Sequence, residues 1–393
     1  MKSKSILKFC TGCGACVSAK KANLQMDEKG FLIPHPCDDS FQDYCNKTCF
    51  ATGRQYQNIK ESVVWGPVLS SYYAWSSNPL VRHQASSGGT LTALCVYLLE
   101  SKFVDGIVHI KENPDNPIST LTTCSVTIND IITNSGSRYS SSSPLLHIND
   151  YLDKGKRYCF VGKPCDVATL RNLMIDDARF RNTFTVLLSF FCAGAPSEKA
   201  NMTLLQKMGT NIEECRSLRY RGEGWPGFAT AIDSSGTKFT LEYRTAWRDT
   251  LGRDIRPICR FCIDGIGELA DIVCYDAWYM DEQFRPIFDE AKGRNGVMCR
   301  TALGNDIFEK AVSKGYIIAS DYSSYAEELP YYQRYQFTRR STLASTFLAL
   351  KLLGRDIPSY PLRIVLNLMK SKGVKAHYSR FKGTIKRILQ GKI

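Results

Sequence analysis

Sixteen cysteines stand among 393 residues, and several are spaced for chemistry rather than packing. Cys10, Cys13 and Cys16 form a C-x2-C-x2-C run with only Thr11, Gly12, Gly14 and Ala15 between them. Thiolates bind iron strongly, and this spacing wraps a tight loop around one corner of a cubane cluster. Gly12 and Gly14 let the backbone turn and aim N–H groups at the sulfides. In the bacterial ferredoxin pattern a further cysteine follows, ahead of a proline, and ligates a second cluster. Lys20 occupies that place and no proline follows it. A second half-motif survives as Cys45-Asn-Lys-Thr-Cys49. In the ferredoxin arrangement its last cysteine completes the first cluster, so Cys49 is the expected fourth ligand. The pattern predicts one N-terminal [4Fe–4S] cluster rather than two. Cys37 and Cys45 are left over, either able to stand in for Cys49. Zinc is the competing reading, although zinc usually takes paired C-x2-C knuckles.

Three later segments share another design. Cys165 in Val161-Gly-Lys-Pro-Cys165 and Cys192 in Ser189-Phe-Phe-Cys192 each follow an apolar, strand-like run. Cys259 and Cys262 form a C-x2-C pair after Arg256-Pro257. Loops at the C-terminal ends of strands converge on one edge of an α/β sheet, where ligands bind. Four thiolates gathered there suffice for a second [4Fe–4S] cluster. Cys95, Cys124, Cys159, Cys215, Cys274 and Cys299 lack such spacing and read as small buried hydrophobes.

Two polar loops are candidates for a phosphate-bearing ligand. Ser86, Ser87, Gly88, Gly89 and Thr90 lead into a helical pattern of Leu91, Leu94, Cys95, Leu98 and Leu99. Free N–H groups at a helix start favour phosphate, and glycine permits close approach; an ordinary serine cap is the alternative. Gly136, Ser137, Arg138 and Tyr139 open a serine-rich stretch whose Arg138 is able to pair with a pyrophosphate; a flexible turn is the alternative. Arg219 to Trp225 reads as a hairpin with an exposed basic strand, or as a contact for an anionic substrate. Asp271 and Asp276 flank an apolar stretch, as ligand-orienting groups or as caps. None of the five histidines lies in a metal-ligand pattern. No residue stands out as a general acid, so the catalytic residues are unassigned.

The elements that must position these groups are strands alternating with helices. Gly106–Ile110, Tyr158–Gly162 and Phe184–Phe191 read as strands, with a helix after Cys165 and another running from Pro196-Ser197 to near Gly209. That texture predicts an α/β (α+β) domain over residues 81–329, after a small ferredoxin-like domain (1–58) and a linker or first strand (59–80). Residues 330–393 form three short helical patterns broken at Ile357–Pro361 and Gly373. This stretch holds fourteen Lys or Arg against one acid, Asp356, so the whole excess of +13 sits there and residues 1–329 sum to zero. It reads as a basic helical extension with an anionic membrane leaflet, an acidic protein or nucleic acid as candidate surfaces, nucleic acid being the least favoured. The alternative is a helical cap packed on the body. No apolar run reaches the roughly 18 residues of a membrane span, and no apolar leader precedes the first cysteines. Cysteines clustered for metal in a long chain without an export signal point to a reducing cytoplasm, at most peripheral to the inner membrane face.

Together these segments resemble the coenzyme F420 hydrogenase/dehydrogenase β-subunit family, which includes hydroxymethyl chlorophyll a reductases and bacterial members of polysaccharide loci. The likeness covers roughly residues 8–320 and rests on Cys10–Cys16, Ala85–Thr90, Gly136–Tyr139, Val161–Cys165, Phe191–Gly194, Arg256–Cys262 and Ala270–Ile272. The resemblance implies FAD beside a [4Fe–4S] cluster held by Cys165, Cys192, Cys259 and Cys262, with additional cluster chemistry in the N-terminal set. It favours the flavin reading of both polar loops. Lys163 departs from the family, which often has a small polar residue there. The expectation is an iron–sulfur flavoprotein oxidoreductase that passes electrons between a carrier such as ferredoxin, two clusters, FAD and a small organic substrate. The competing readings are a non-enzymatic electron-transfer subunit of a larger complex and a zinc-stabilised binding protein.

Overall fold

The computed structural model describes residues 3–57, 59 and 63–391. The expected domain boundary at residue 58, and residues 60–62 of the expected linker, lie outside these. Among the described residues thirteen strands form three sheets. β1 (Ala22–Met26) and β2 (Leu32–Pro36) make an N-terminal hairpin. β3 (Ser70–Ser76), β4 (Gly106–Asn113), β5 (Asn116–Ser125), β6 (Tyr158–Val161) and β7 (Phe184–Phe190) belong to the main sheet. β8 (Cys215–Arg219), β9 (Phe228–Asp233) and β10 (Lys238–Glu242) form an antiparallel three-stranded sheet. β11 (Ile272–Asp276), β12 (Asn295–Cys299) and β13 (Ile317–Asp321) return to the main sheet, whose order is β13-β3-β12-β11-β7-β6-β4-β5.

The sheet is mixed. β11, β7, β6 and β4 run parallel, and antiparallel strands flank them on both sides. Side chains alternate across it as a period of two requires. Ile107, Cys159, Val186 and Leu188 join a core with the helices Thr90–Glu100 and Ala302–Ser313. Val108, Phe160 and Leu187 join another with the helix Pro164–Asp176. This is the α/β reading of the sequence, with the strands buried on both faces. Residues 70–76, in the stretch expected as linker or first strand, are β3, paired on both sides within the sheet. The helix Glu198–Met208 starts at Ser197, whose Oγ accepts from Ala200 N at 2.9 Å, and ends at Gly209 with φ of 91°. It packs on the three-stranded sheet.

The basic C-terminal stretch is part of the body. The expected start at residue 330 falls inside the helix Tyr325–Tyr332, followed by Arg334–Ser341. The three anticipated helices are Leu343–Leu352, Leu362–Met369 and Val374–Leu389. Leu343, Phe347, Leu350, Ile364, Val365, Leu368 and Ile388 are buried in one core with Phe9, Phe50, Tyr56, Ile258, Phe261 and Ile263. Each such side chain stabilises the fold by about 1.5–3 kcal/mol, so the cap reading holds for the inward face. Leu353 and Met369, which helical spacing also puts toward that face, are 37% exposed.

Arg340 is fully buried and donates to Glu268 Oε2 at 3.0 Å and to the Ile263 carbonyl. Replacing a buried cation leaves its acids uncompensated, which costs about 3–5 kcal/mol. Arg340→Leu is therefore expected to destabilise the full chain by that amount in urea unfolding, where Lys351→Leu on the exposed surface leaves the midpoint unchanged; equal midpoints for the two variants would remove Arg340 as an anchor.

Candidate functional site

The first cysteine loop closes a small cavity. Cys10, Cys13, Cys16 and Cys49 all line it, with Phe9, Phe41, Tyr44, Cys45 and Phe50. Gly12 (φ 74°) and Gly14 (φ 87°) adopt left-handed backbone, and a side chain at Gly12 would collide with the Arg256 guanidinium. The Gly12 amide donates to Cys10 Sγ at 3.2 Å. Leu145 N donates to the Cys13 carbonyl at 2.8 Å, and Ser143 Oγ to the Gly12 carbonyl at 2.8 Å. The cysteine loop is thus held by residues far along the chain. Cys49 lies near enough to Cys10, Cys13 and Cys16 to raise the pKa of each. Cys45 sits on the same wall, beside Cys49. Cys37 is exposed, accepts from Asn23 Nδ2 at 3.7 Å and does not line the cavity. Lys20 is exposed with φ of 58°.

A second cavity gathers Cys165, Cys192, Cys259 and Cys262. β6 and β7 are parallel neighbours, so the residues just past their ends meet at one edge. Cys165 lies in the first turn after β6, and Cys192 follows β7 by two residues. The helical turn Pro257–Arg260 brings Cys259. The C-terminal helix Arg334–Ser341 closes the set: Arg339 donates to the Cys259 carbonyl at 2.8 Å and the Cys192 carbonyl at 3.2 Å, and Gln336 Nε2 to the Cys192 carbonyl at 2.8 Å. Sequence spacing carried no sign of Gln336 and Arg339, because their partners are backbone carbonyls far away along the chain.

Burial pushes the Cys13 thiol up to about 12, with Asp166 adding to the rise. Cys192 and Cys262 are likewise pushed up to about 12, burial foremost. Thiols so desolvated stay protonated unless a cation compensates their charge. Among the described residues no three His, Cys, Asp or Glu side chains close on a single-ion position. Each nest instead spreads four thiols around a cavity, a donor set that fits a multi-iron cluster taking one thiolate per iron.

The third cavity is large, about 420 Å³, within the usual range for a cofactor or substrate. It runs along the same strand-end edge. Of the two predicted loops, Ser86, Ser87 and Gly89 line it, as do Gly136, Ser137, Arg138 and Tyr139. The loops are joined: Ser137 N donates to Ser86 Oγ at 2.5 Å. Gly88 and Thr90 lie behind the wall. A side chain on Gly88 would press on the Ala74 carbonyl and the Arg294–Asn295 backbone, and Thr90 N donates to Asn295 Oδ1 at 3.2 Å. Arg138 is engaged by Glu112 at 2.9 Å and the Leu218 carbonyl at 2.7 Å, so it is a brace of the wall rather than a free anion ligand. Arg219 to Trp225 does lie between paired strands, β8 and β9, yet Arg221 is 2% exposed and lines the cavity. It pairs with Asp276 at 2.7 Å amid Trp225, Tyr243 and Trp278. Asp271 is a structural brace, accepting from Arg171, Thr301 and Leu187 N.

The three cavities lie in a row with shared walls. Thr11 and Phe50 line both thiol nests. Lys163, Cys192, Gly194 and Ala195 line both the second nest and the large cavity. Lys163 Nζ sits 2.8 Å from Asp166 Oδ2 and 2.9 Å from Ser142 Oγ. Burial works against its charge, but Asp166 and the Cys165 and Cys192 sulfurs outweigh burial and raise its pKa. Asp166 is wholly buried and lines the large cavity, and its Oδ1 has no hydrogen-bond partner. An orphaned buried oxygen of this kind fits a wall made for a ligand with a donor.

Comparison with known proteins gives the chain a family and a fold. Residues 71–149 match the family model for the N-terminal part of the coenzyme F420 hydrogenase/dehydrogenase beta subunit, and residues 155–324 match the model for its C-terminal part. The coenzyme F420 hydrogenase subunit beta of Methanosarcina barkeri is 24% identical over 261 residues, covering 64% of this chain and 81% of its own. An F420-dependent formate dehydrogenase subunit beta of Methanocaldococcus jannaschii is 28% identical over 253 residues, 62% of this chain and 59% of its own. A chain of the F420-reducing [NiFe] hydrogenase complex from Methanosarcina barkeri shares the fold, with a TM-score of 0.58 at 20% identity, covering 76% of this chain and 98% of that one.

His109 lines the large cavity with Nδ1 2.9 Å from the Ile110 carbonyl and Nε2 2.7 Å from Ser125 Oγ. The carbonyl requires a proton on Nδ1, so the neutral ring accepts from Ser125. Burial lowers its pKa, so the folded chain favours the neutral form. Its contribution to stability is complete above the ordinary histidine value of about 6.5 and is lost as pH falls toward the lowered folded value. Urea midpoints of wild type minus His109→Gln, measured from pH 7.5 to 5, should shrink with falling pH; a constant difference would show that the ring charges as readily inside as outside.

Proposed function

The chain belongs to the coenzyme F420 hydrogenase/dehydrogenase β-subunit family, and on that premise we propose that it is an iron–sulfur flavoprotein oxidoreductase. Its homologues are β subunits of F420-dependent hydrogenases and formate dehydrogenases, an oxidoreductase family that works inside redox complexes. The observation that carries the reading is the row of cavities: a four-thiol nest, a second four-thiol nest and a 420 Å³ cavity, each sharing wall residues with the next. In our reading Cys10, Cys13, Cys16 and Cys49 hold one [4Fe–4S] cluster, Cys165, Cys192, Cys259 and Cys262 hold another, and the large cavity takes FAD with an organic substrate. Bound there, a flavin exchanges electrons in pairs with the substrate and the clusters exchange them singly.

The chain's own residues do the positioning. Thr11 and Phe50 line both nests and form the partition between them. Ser86, Ser87, Gly136 and Ser137 form the polar wall suited to a phosphate-bearing cofactor. Lys163, held by Asp166 and Ser142, places a fixed positive charge between the second nest and the large cavity, where added electrons are stabilised by a nearby cation. The N-terminal nest is the port for a carrier such as ferredoxin. The relatives' own assembly in complexes favours a second reading, in which the chain delivers electrons to a partner subunit and turns over no substrate alone.

Purified anaerobically, the protein should contain about eight irons and one flavin per chain. Zinc without flavin would replace the proposal with a zinc-stabilised binding protein. Cys49→Ser should lose about half the iron, with Cys37→Ser and Cys45→Ser retaining it; the reverse pattern would reassign the fourth ligand. Lys163→Gln should lower the flavin and second-cluster midpoint potentials in an EPR-monitored titration, with Lys163→Arg close to wild type. Unchanged potentials would leave Lys163 a packing role only.

A further inference from the structure

We propose that the outward face of the last three helices binds an anionic lipid surface. The inward faces are settled by packing, but each helix also carries an outward stripe that packing does not explain. On Leu343–Leu352 and just beyond, Leu348, Lys351, Leu352 and Arg355 recur at helical spacing and are exposed, Leu348 by 55% and Leu352 by 66%. On Leu362–Met369, Leu362 and Leu366 share a face that continues to Lys370. On Val374–Leu389, Val374, Tyr378, Lys382 and Lys386 form the stripe, with Leu389 at its end.

A solvated helix face usually mixes lysines with acids at i,i+4 and exposes few leucines. These stripes contain no acid. The one acid of residues 330–393, Asp356, is taken by Lys8. The buried cations of this stretch, Arg339 and Arg340, are used internally and add nothing to the surface. What remains outside is lysine and arginine interleaved with bare aliphatic side chains. That combination complements a surface with negative headgroups above an apolar layer: the cations meet phosphate while leucine and valine enter the acyl boundary. An acidic protein would satisfy the lysines but would have to cover leucines spread over three helices. No helix among the described residues is long and apolar enough to cross a membrane, so the contact is peripheral.

The test is co-sedimentation of the anaerobically purified full chain with vesicles of phosphatidylcholine alone or with phosphatidylglycerol. The chain should partition about tenfold or more in favour of the anionic vesicles, and the preference should fall as salt is raised. The combined variant Lys351→Gln, Lys370→Gln, Lys382→Gln, Lys386→Gln should lose that preference. Leu348→Ser, Leu352→Ser, Leu362→Ser, Leu366→Ser should also weaken binding, and far-UV circular dichroism should confirm that both fold. Equal pelleting with neutral vesicles, or anionic binding that survives the lysine substitutions, would overturn the proposal. So would absence of pelleting; if purified ferredoxin then bound the chain in a manner the same substitutions abolish, the face would belong to a protein partner.

Discussion

Two adjacent arginines on one helical turn hold the functional end of the molecule together. Arg340 is stripped of water and donates to Glu268 and to the Ile263 and Val63 carbonyls. Arg339, its neighbour, donates to the Cys192 and Cys259 carbonyls and to Gln336. A buried guanidinium needs partners for its donors, and here most of the partners lie in the loop from Cys259 to Glu268 or at Cys192. That loop has a single helical turn of its own, Pro257–Arg260. The C-terminal helices therefore need the loop to pair their cations, and the loop needs those cations to hold its carbonyls in place. Arg300 supports it from the other side, donating to the Trp65, Pro67 and Ile266 carbonyls; burial draws it down to about 10 against the pull of Glu268 and Asp264.

The same logic of buried charge extends along the whole row of cavities. At Cys10, Cys13, Cys16, Cys49, Cys165, Cys192 and Cys262 burial opposes ionisation of the thiol. At several points a cation stands against that penalty: Arg256 beside Cys10, Lys163 beside Cys165 and Cys192, Arg339 beside Cys192 and Cys262. Arg256 also ties the nests together, since it precedes the Cys259 turn in sequence yet donates to the Leu32 carbonyl at 2.7 Å and lies against Gly12. The N-terminal hairpin, the cysteine loop and the second thiol set are thereby fixed in one register. Close approach between nests is a product of this cross-bracing, with Phe50 and Thr11 as the thin partition.

The parts of this arrangement legible in the sequence are those with local signatures. Cysteine spacing identified both thiol sets, because ligand loops are short and their geometry is written in two- and three-residue intervals. Alternation of apolar runs and helical periods identified the strands that end at Cys165 and Cys192. Ser86, Ser87 and Gly136–Tyr139 line the large cavity, and their polarity at a helix start and a loop is what marks them in the sequence. What was not legible arises from tertiary pairing. Nothing near Arg138 in sequence shows that Glu112 engages it, and nothing near Arg221 shows that the hairpin turns it inward to Asp276. For residues 70–76 the sequence leaves linker and first strand both open, because Ser71, Ala74 and Ser76 are the buried positions of β3, a weak hydrophobic signal. Glycine at 88 reads as freedom for a phosphate to approach, but the backbone that approaches it is that of Ala74, Arg294 and Asn295.

The basic C-terminal stretch shows why net charge alone misleads about architecture. Summed over residues 330–393 it describes an appendage, yet its cations divide by position. Arg339 and Arg340 point inward, where each is matched by a carboxylate or carbonyl, and they act on the thiol loops. Those on the later helices are largely left outside by the amphipathic period, since Ile364, Val365 and Leu368 claim the inward face. Packing constrains the first group residue by residue; an arginine there cannot become lysine without losing a forked contact. It places no such constraint on the second group, so fold stability does not account for the leucines exposed among those lysines. Exposed aliphatic side chains gain nothing from the fold and invite association unless something covers them. Packing thus accounts for the arginines one helix earlier, which brace the thiol loops, and not for the aliphatic side chains left beside uncompensated positive charge.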